Sequence, residues 1–309
     1  MSKIIVFSQG RSRISKVLIS GLFYLSLLYP LQTVLAGNCL NAVDAPGCSY
    51  GLPSDQYAAL LPVMAANPSP PMQPLASATD DIQRYSVVGK NGKVLHAASS
   101  FAGTLVDGGF PVAAAWVLRT TRPSALPGVA PSPATPARVR YGMVYLFASV
   151  KYHGLPWYLV GPGQWLPMQV LAKVNPAARP EGVSGRWVAV DLRQQVLSAY
   201  EDDRLVFTTL ISSGVGHHPT RQGLFHVWIH LPTDDMNGAM GRPDAYALPY
   251  VPYVMYFDHN IALHGAYWHD AFGYQRSHGC VNMSLTDSRW LYEWTVGSAD
   301  TYVLVWRST

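Results

Sequence analysis

The stretch Ser277-His278-Gly279-Cys280-Val281-Asn282, preceded by His264-Gly265, decides how the C-terminal part of this chain folds and what it does. A thiol is a useful nucleophile only where a neighbouring base or positive charge favours the thiolate, so a cysteine with two histidines near it in sequence points to covalent catalysis. A buried, inert core cysteine is the alternative for any lone thiol. The surroundings of the motif decide between the two.

The first 36 residues carry Lys3, Arg11, Arg13 and Lys16, then the apolar run Val17 to Tyr29, then Pro30 and a small-residue end at Val34-Leu35-Ala36. That is the pattern of a secretory signal peptide cut after Ala36, with a run short for a membrane span. Export places the protein in the cell envelope or periplasm, membrane-anchored if the signal is not cleaved. Cys39 is separated by Asn38 from Leu35-Ala36-Gly37, whereas a lipid-acceptor cysteine follows the small residue directly, so no lipidation is expected. The whole chain has 22 Lys+Arg against 18 Asp+Glu, but four of the basic residues precede residue 37, leaving the mature chain balanced. Without a Lys/Arg stripe, a nucleic-acid partner is not expected.

Export also sharpens the cysteine count. In an oxidising compartment Cys39 and Cys48 are close enough in sequence to form a small disulfide loop, which leaves Cys280 as the odd thiol.

Composition divides the mature chain. Residues 37–81, rich in Ala, Pro, Ser and Asn, read as an extended spacer with a disulfide loop at its start and little packed core. Residues 82–174 show short apolar runs broken by Gly and Pro, the spacing of a small all-β unit. Within it, Tyr152-His153-Gly154-Leu155-Pro156-Trp157-Tyr158 to Gly161-Pro162-Gly163-Gln164-Trp165 resembles the last strands of bacterial SH3-like barrels. The aromatics Trp116, Tyr145, Phe147, Trp157 and Trp165 line either a ligand groove or a small core, the second being commoner. Residues 175–185 read as a linker.

From 186 to 309 strands recur: Trp187 to Leu192, Val196 to Tyr200, Leu205 to Ile211, Leu224 to Leu231, Val254 to Phe257, Ile261 to Leu263 and Thr301 to Trp306. Glu201-Asp202-Asp203 is a hairpin turn between two of them. Ser284-Leu285-Thr286-Asp287 opens a helix, with Ser284 as its cap, an apolar face of Trp290, Leu291 and Trp294, and Gly297 as its stop. The expected class is mainly β with one docked helix.

This ordered set resembles the L,D-transpeptidase catalytic domain, also called the YkuD domain. The likeness rests on His264-Gly265 and Ser277-His278-Gly279-Cys280-Val281-Asn282, and extends to Val190-Asp191-Leu192, Ser212-Ser213-Gly214, Pro219-Thr220, Gly223-Leu224-Phe225 and the helix after the motif. One departure is Arg221-Gln222, where many members have Pro after the residue matching Thr220. The resemblance implies a β-sandwich and a cysteine acyltransferase acting on peptidoglycan stem peptides, with a tetrapeptide donor, an amine acceptor and sensitivity to carbapenem-type inhibitors. Cys280 matches the nucleophile, His264 the base, and the Gly265 carbonyl the group that holds the imidazole.

Other site residues follow from motif chemistry. The N–H groups of Gly279 and Cys280 are candidate donors to an oxyanion. His278 either donates there too or braces the loop, and Ser277 and Asn282 hold the turn through side-chain to backbone bonds. Tyr246, Tyr250 and Tyr253 fall where the family has a mobile lid, and Trp268 follows the catalytic histidine. His217 and His218 follow Gly214 in a loop, either solvated or touching the peptide.

No metal or cofactor is expected. Among His259, His264, His269, His278 and Cys280, no two histidines have the i,i+4 spacing of a helical zinc site, and the cysteine has no Cys partner. Two other functions remain compatible with the scaffold: an L,D-carboxypeptidase or hydrolase using the same acyl-enzyme, and a non-catalytic wall-binding protein, which the intact His264 and Cys280 disfavour.

Overall fold

A computed structural model describes residues 32–33, 39–40, 45–68, 70, 73–88, 91–241, 243–298 and 300–309. The signal-peptide segment lies outside the described residues apart from Gln32 and Thr33. The fold is mainly β, with three α-helices among the described residues.

Its centre is a seven-stranded sheet, ordered Gly223–His226, Tyr302–Trp306, Arg186–Asp191, Val196–Glu201, Arg204–Leu210, Thr104–Leu105 and Gln73–Pro74. Side chains alternate across a strand, so each strand supplies two faces. On one face Val188, Val190, Leu197, Ala199 and Phe207 pack with Met255, Leu263, Val281 and Met283 of a second sheet and with Leu291 of the helix Leu285–Thr295. The intervening residues Trp187, Ala189, Val196, Tyr200 and Leu210 pack on the other face with Trp116, Tyr145, Phe147 and Trp165. Burial on both faces is why these strands read as continuous apolar runs rather than as an alternating pattern. Trp116, Tyr145, Phe147 and Trp165 are therefore core residues and do not line a groove.

The second sheet runs Ile229–Gly238, Tyr246–Asp258, Ile261–Gly265 and Val281–Met283, the last two strands parallel. Tyr246–Asp258 is a 13-residue strand, so the residues expected as a mobile lid belong to a hairpin with Ile229–Gly238. Pro249 and Pro252 and the left-handed Tyr250 and Tyr253 break its alternation, which is why only its second half reads as a strand in the sequence.

Upstream residues are more tightly joined to this domain than their composition predicts. The 37–81 segment, expected to hold little packed core, contains the helix Ser54–Ala66, and Leu52, Tyr57 and Met64 are buried in the core shared with Trp187. Gln73–Pro74 and Thr104–Leu105 extend the central sheet itself. Val183, in the stretch read as a linker, is buried, and the Ala177 N–H donates to the Tyr200 hydroxyl at 3.1 Å. Alanine- and proline-rich composition masked this packing because small side chains give weak periodicity. Cys39 and Cys48 are joined by a disulfide, with Cα atoms 5.3 Å apart.

The helix Leu285–Thr295 starts as its sequence indicates: the Ser284 hydroxyl accepts the Asp287 N–H at 3.1 Å. Asp287 then turns inward. One carboxylate oxygen accepts the Gly103 N–H and the other the Thr209 hydroxyl, both at 2.6 Å, joining helix, sheet and upstream segment at one buried point. Burial pushes its carboxyl up to about 6, partly opposed by the Thr209, Gly103 and Ser284 donors.

A carboxyl whose folded pKa is raised stabilises the fold fully below its unfolded value near 3.8 and loses that contribution as pH rises through about 6. Relative to Asp287→Asn, the wild-type protein is therefore expected to lose about 2 kcal/mol of stability between pH 4 and pH 7. Urea unfolding of both proteins across that range measures the difference, and a constant gap would contradict it.

Candidate active site

Parallel pairing builds the site. Leu263 pairs with Val281, His264 with Asn282 and Gly265 with Met283. Because paired residues share a face, Leu263, Val281 and Met283 point into the core, while His264, Asn282 and, two positions before Asn282, Cys280 turn to the opposite side. There they line a cavity of about 320 Å³ together with Ser277, His278, Trp268 and Tyr246.

His264 is buried, and its Nδ1 lies 3.1 Å from the Gly265 carbonyl oxygen. A carbonyl only accepts, so Nδ1 carries the hydrogen and Nε2 holds the free lone pair. Burial pulls the imidazole down to about 4, against a smaller opposing effect of the Gly265 carbonyl. Gly265 is itself fixed by crowding: a Cβ there would sit 2.6 Å from Ser288 Oγ.

Cys280 is the free cysteine among the described residues and is half-buried. Desolvation of its sulfur pushes the thiol up to about 11, partly opposed by the Ala262 N–H. The resting pair is thus a neutral thiol and a neutral imidazole whose Nε2 lone pair is free to accept a proton.

The turn before Cys280 is braced from within. Ser277 Oγ accepts the Gly279 N–H at 3.1 Å and donates to the Cys280 carbonyl. The Gly279 amide, expected to face an oxyanion, is thereby occupied by the serine hydroxyl. Gly279 has φ +120°, and a Cβ on it would lie 2.6 Å from Ile261 Cδ1, so both backbone shape and space call for glycine. Its carbonyl accepts from Thr220 Oγ1 at 2.6 Å, which ties the Gly214 to Thr220 loop to the cysteine turn.

His278 has its Nε2 3.2 Å from Asp244 Oδ2, and its ring packs between those of His218 and Tyr246 at 4.6 and 4.9 Å. That is the bracing geometry of its two readings. Asn282 Nδ2 lies 2.9 Å from His269 Nε2, and its backbone exchanges hydrogen bonds with Ser212. Trp268 packs 5.7 Å from the His264 ring.

Of the three tyrosines assigned to a lid, only Tyr246 reaches this cavity. Tyr250 is exposed and borders a separate depression with Arg84, Tyr85 and Tyr267. Tyr253 donates its hydroxyl to Asp81 at 2.7 Å, joining the hairpin to the helix Thr79–Tyr85. Both have positive φ, 53° and 57°, so regular side-to-side alternation does not run through this part of the strand.

Several lining residues were not anticipated: Met236, Leu248 and Arg276. Leu248 follows Tyr246 at strand spacing and was detectable once that segment is read as β. Met236 comes from the facing strand and carries no local signal. Arg221, the departure from the family pattern, pairs with both oxygens of the buried Asp258, with its Nε 2.8 Å from Oδ2, and so pins the loop to the end of Tyr246–Asp258.

Residues 185–304 match the family model described as YkuD, the L,D-transpeptidase catalytic domain. Similar solved structures include the catalytic domain of the E. faecium L,D-transpeptidase, 27% identical over 40% of this chain and 99% of that one, with a TM-score of 0.36. An L,D-transpeptidase from Mycobacterium smegmatis is 15% identical over 77% of this chain and 93% of its own, with a TM-score of 0.37. The L,D-transpeptidase LdtMt1, solved in complex with imipenem, is 17% identical over 48% of this chain and 76% of its own, also with a TM-score of 0.37. No curated protein matches the sequence. Residues 185–304 carry a YkuD-type L,D-transpeptidase catalytic domain.

With its thiol near 11, Cys280 is expected to react slowly with iodoacetamide at neutral pH, the rate rising about tenfold per pH unit from 7 to 10. A rate already level by pH 8, followed by mass spectrometry, would show a thiolate formed in advance and contradict the neutral resting pair.

Proposed function

We propose that the protein is an exported peptidoglycan L,D-transpeptidase that forms cross-links between stem peptides through a thioester on Cys280, and so serves cell-wall biogenesis and cell shape. The observation that carries this reading is the single cavity shared by Cys280 and His264, with the His264 Nδ1 committed to the Gly265 carbonyl. The signal-peptide pattern and the Cys39–Cys48 disulfide support export.

In the first half-reaction the Cys280 sulfur attacks the carbonyl joining the L-centre of a diamino acid to the terminal D-Ala of a tetrapeptide stem. His264 Nε2 takes the thiol proton as the S–C bond forms, because a thiol near 11 is not ionised beforehand. The Cys280 N–H is the backbone donor proposed for the developing oxyanion. Collapse breaks the C–N bond, His264 returns the proton to the D-Ala amine, and a thioester remains. In the second half-reaction a side-chain amine of another stem attacks the thioester, His264 removes the amine proton, and Cys280 leaves as the thiol. Gly265 supplies the orienting acceptor that a carboxylate supplies in other hydrolytic triads, so no acidic residue is required beside His264. A β-lactam carbonyl would be attacked in the same way, consistent with the imipenem complex of LdtMt1.

Given disaccharide tetrapeptides, the purified mature chain is expected to release D-Ala and form cross-linked dimers, with Cys280→Ala doing neither. Release of D-Ala without dimers would identify the hydrolase instead. A carbapenem is expected to add its mass to Cys280. The acylation rate is expected to stay level across pH 6–8 and to fall only as His264 becomes protonated towards its value of about 4. An inflection near pH 6.5, measured by stopped-flow acylation, would sink the assignment of a buried neutral base.

A further inference from the structure

Three metal-ligating side chains converge at the rim of the Cys280 cavity without any part in the acyl-transfer steps above. His217 and His218 lie on the loop after Gly214, and Asp244 lies on the segment leading into Tyr246–Asp258. Their ligand atoms all fall within 4.8 Å of one another. His218 Nε2 and Asp244 Oδ2 are 3.0 Å apart. Two donors on one tetrahedral zinc ion, each bonded at about 2.0–2.2 Å, are themselves about 3.3 Å apart, so this pair already has the spacing of co-ligands. His217, the third member, is exposed, and its ligand atom lies within 4.8 Å of those of the other two.

The backbone that carries the two histidines is held in place. The His218 N–H donates to the Val215 carbonyl at 2.8 Å, and the Gly214 N–H donates to Thr220 Oγ1 at 2.9 Å. Gly214 is packed so closely that a Cβ would lie 2.1 Å from the His218 carbonyl oxygen. His278 Nε2 lies 3.2 Å from the same Asp244 Oδ2 that His218 contacts, which helps hold the carboxylate beside the histidine loop. Donor chemistry selects the ion: two imidazoles and one carboxylate suit zinc and similar transition metals, whereas magnesium and calcium take oxygen ligands. Three protein ligands leave a fourth position for water.

We propose that His217, His218 and Asp244 form a binding site for a divalent transition-metal ion of the zinc class, which clamps the Gly214 to Thr220 loop to the segment bearing Asp244 beside the catalytic cavity. The sequence expectation of no metal weighed His259, His264, His269, His278 and Cys280. These three ligands escape it because Asp244 is distant in sequence from the histidine pair.

Zn2+ titrated calorimetrically into the full mature chain carrying Cys280→Ser, so that sulfur cannot ligate, is expected to bind at one ion per chain. His217→Ala and Asp244→Asn are each expected to weaken that binding at least tenfold, while Mg2+ and Ca2+ give no heat. His217 is exposed, so its replacement leaves folding intact, which near-ultraviolet circular dichroism checks. Absence of Zn2+ binding in the Cys280→Ser chain, or binding unchanged by both ligand substitutions, would mean a hydrogen-bonded His–Asp cluster only and overturn the proposal.

Discussion

The parallel pairing of Ile261–Gly265 with Val281–Met283 is the constraint on which the site depends. Antiparallel neighbours can be joined by a two-residue turn, but parallel neighbours need a long crossover. Here the crossover is residues 266–280, and it carries Trp268, His269, Arg276, Ser277 and His278 on its way to Cys280. The same geometric requirement that places His264 and Cys280 on one face therefore supplies most of the wall around them. His264 stands on strand backbone and Cys280 directly precedes a strand, and the opposite face of both strands is locked in the core by Leu263, Val281 and Met283.

That crossover is anchored from outside the catalytic domain as well. Phe272 is fully buried with Phe101 and Tyr141 nearby, and Arg140 donates to the Asp270 carbonyl at 2.7 Å. Asp287 does the equivalent for the helix by accepting the Gly103 amide. The upstream residues thus hold the back of the catalytic domain at two places, one beneath the site wall and one beneath the helix. Exposed ion pairs such as Arg204 with Asp107 add little to this, since solvent screens them.

Much of this was legible in the chain. Strands buried on both faces announced themselves as Val- and Ala-rich runs, and the Ser284 cap and Gly297 stop bounded the helix. His264 and Cys280 were legible because their chemistry and order are distinctive. What could not be read has physical causes. Tyr250 and Tyr253 adopt left-handed backbone inside a strand, so no regular alternation in the sequence says which way they face. Ser54–Ala66 contains Pro62 and few large apolar residues, so it resembles a spacer although Tyr57 and Met64 bury deeply. Met236 reaches the cavity, and Asp244 reaches the cavity-lining His278, through tertiary proximity alone, which no local pattern records.

The strand Tyr302–Trp306 lies between Arg186–Asp191 and Gly223–His226, and the latter joins the central sheet through it. Translation runs from the N-terminus, so this inner strand is the last part of the sheet to be made. Until it arrives, the apolar rows of Val188 and Val190 lack their neighbours Val303 and Val305, and the face that backs the nucleophile strand is incomplete. Non-local pairing of this kind delays completion of a fold until its ends meet. A growing chain therefore carries Cys280 ahead of an incomplete platform until Tyr302–Trp306 has been made and has paired with Arg186–Asp191.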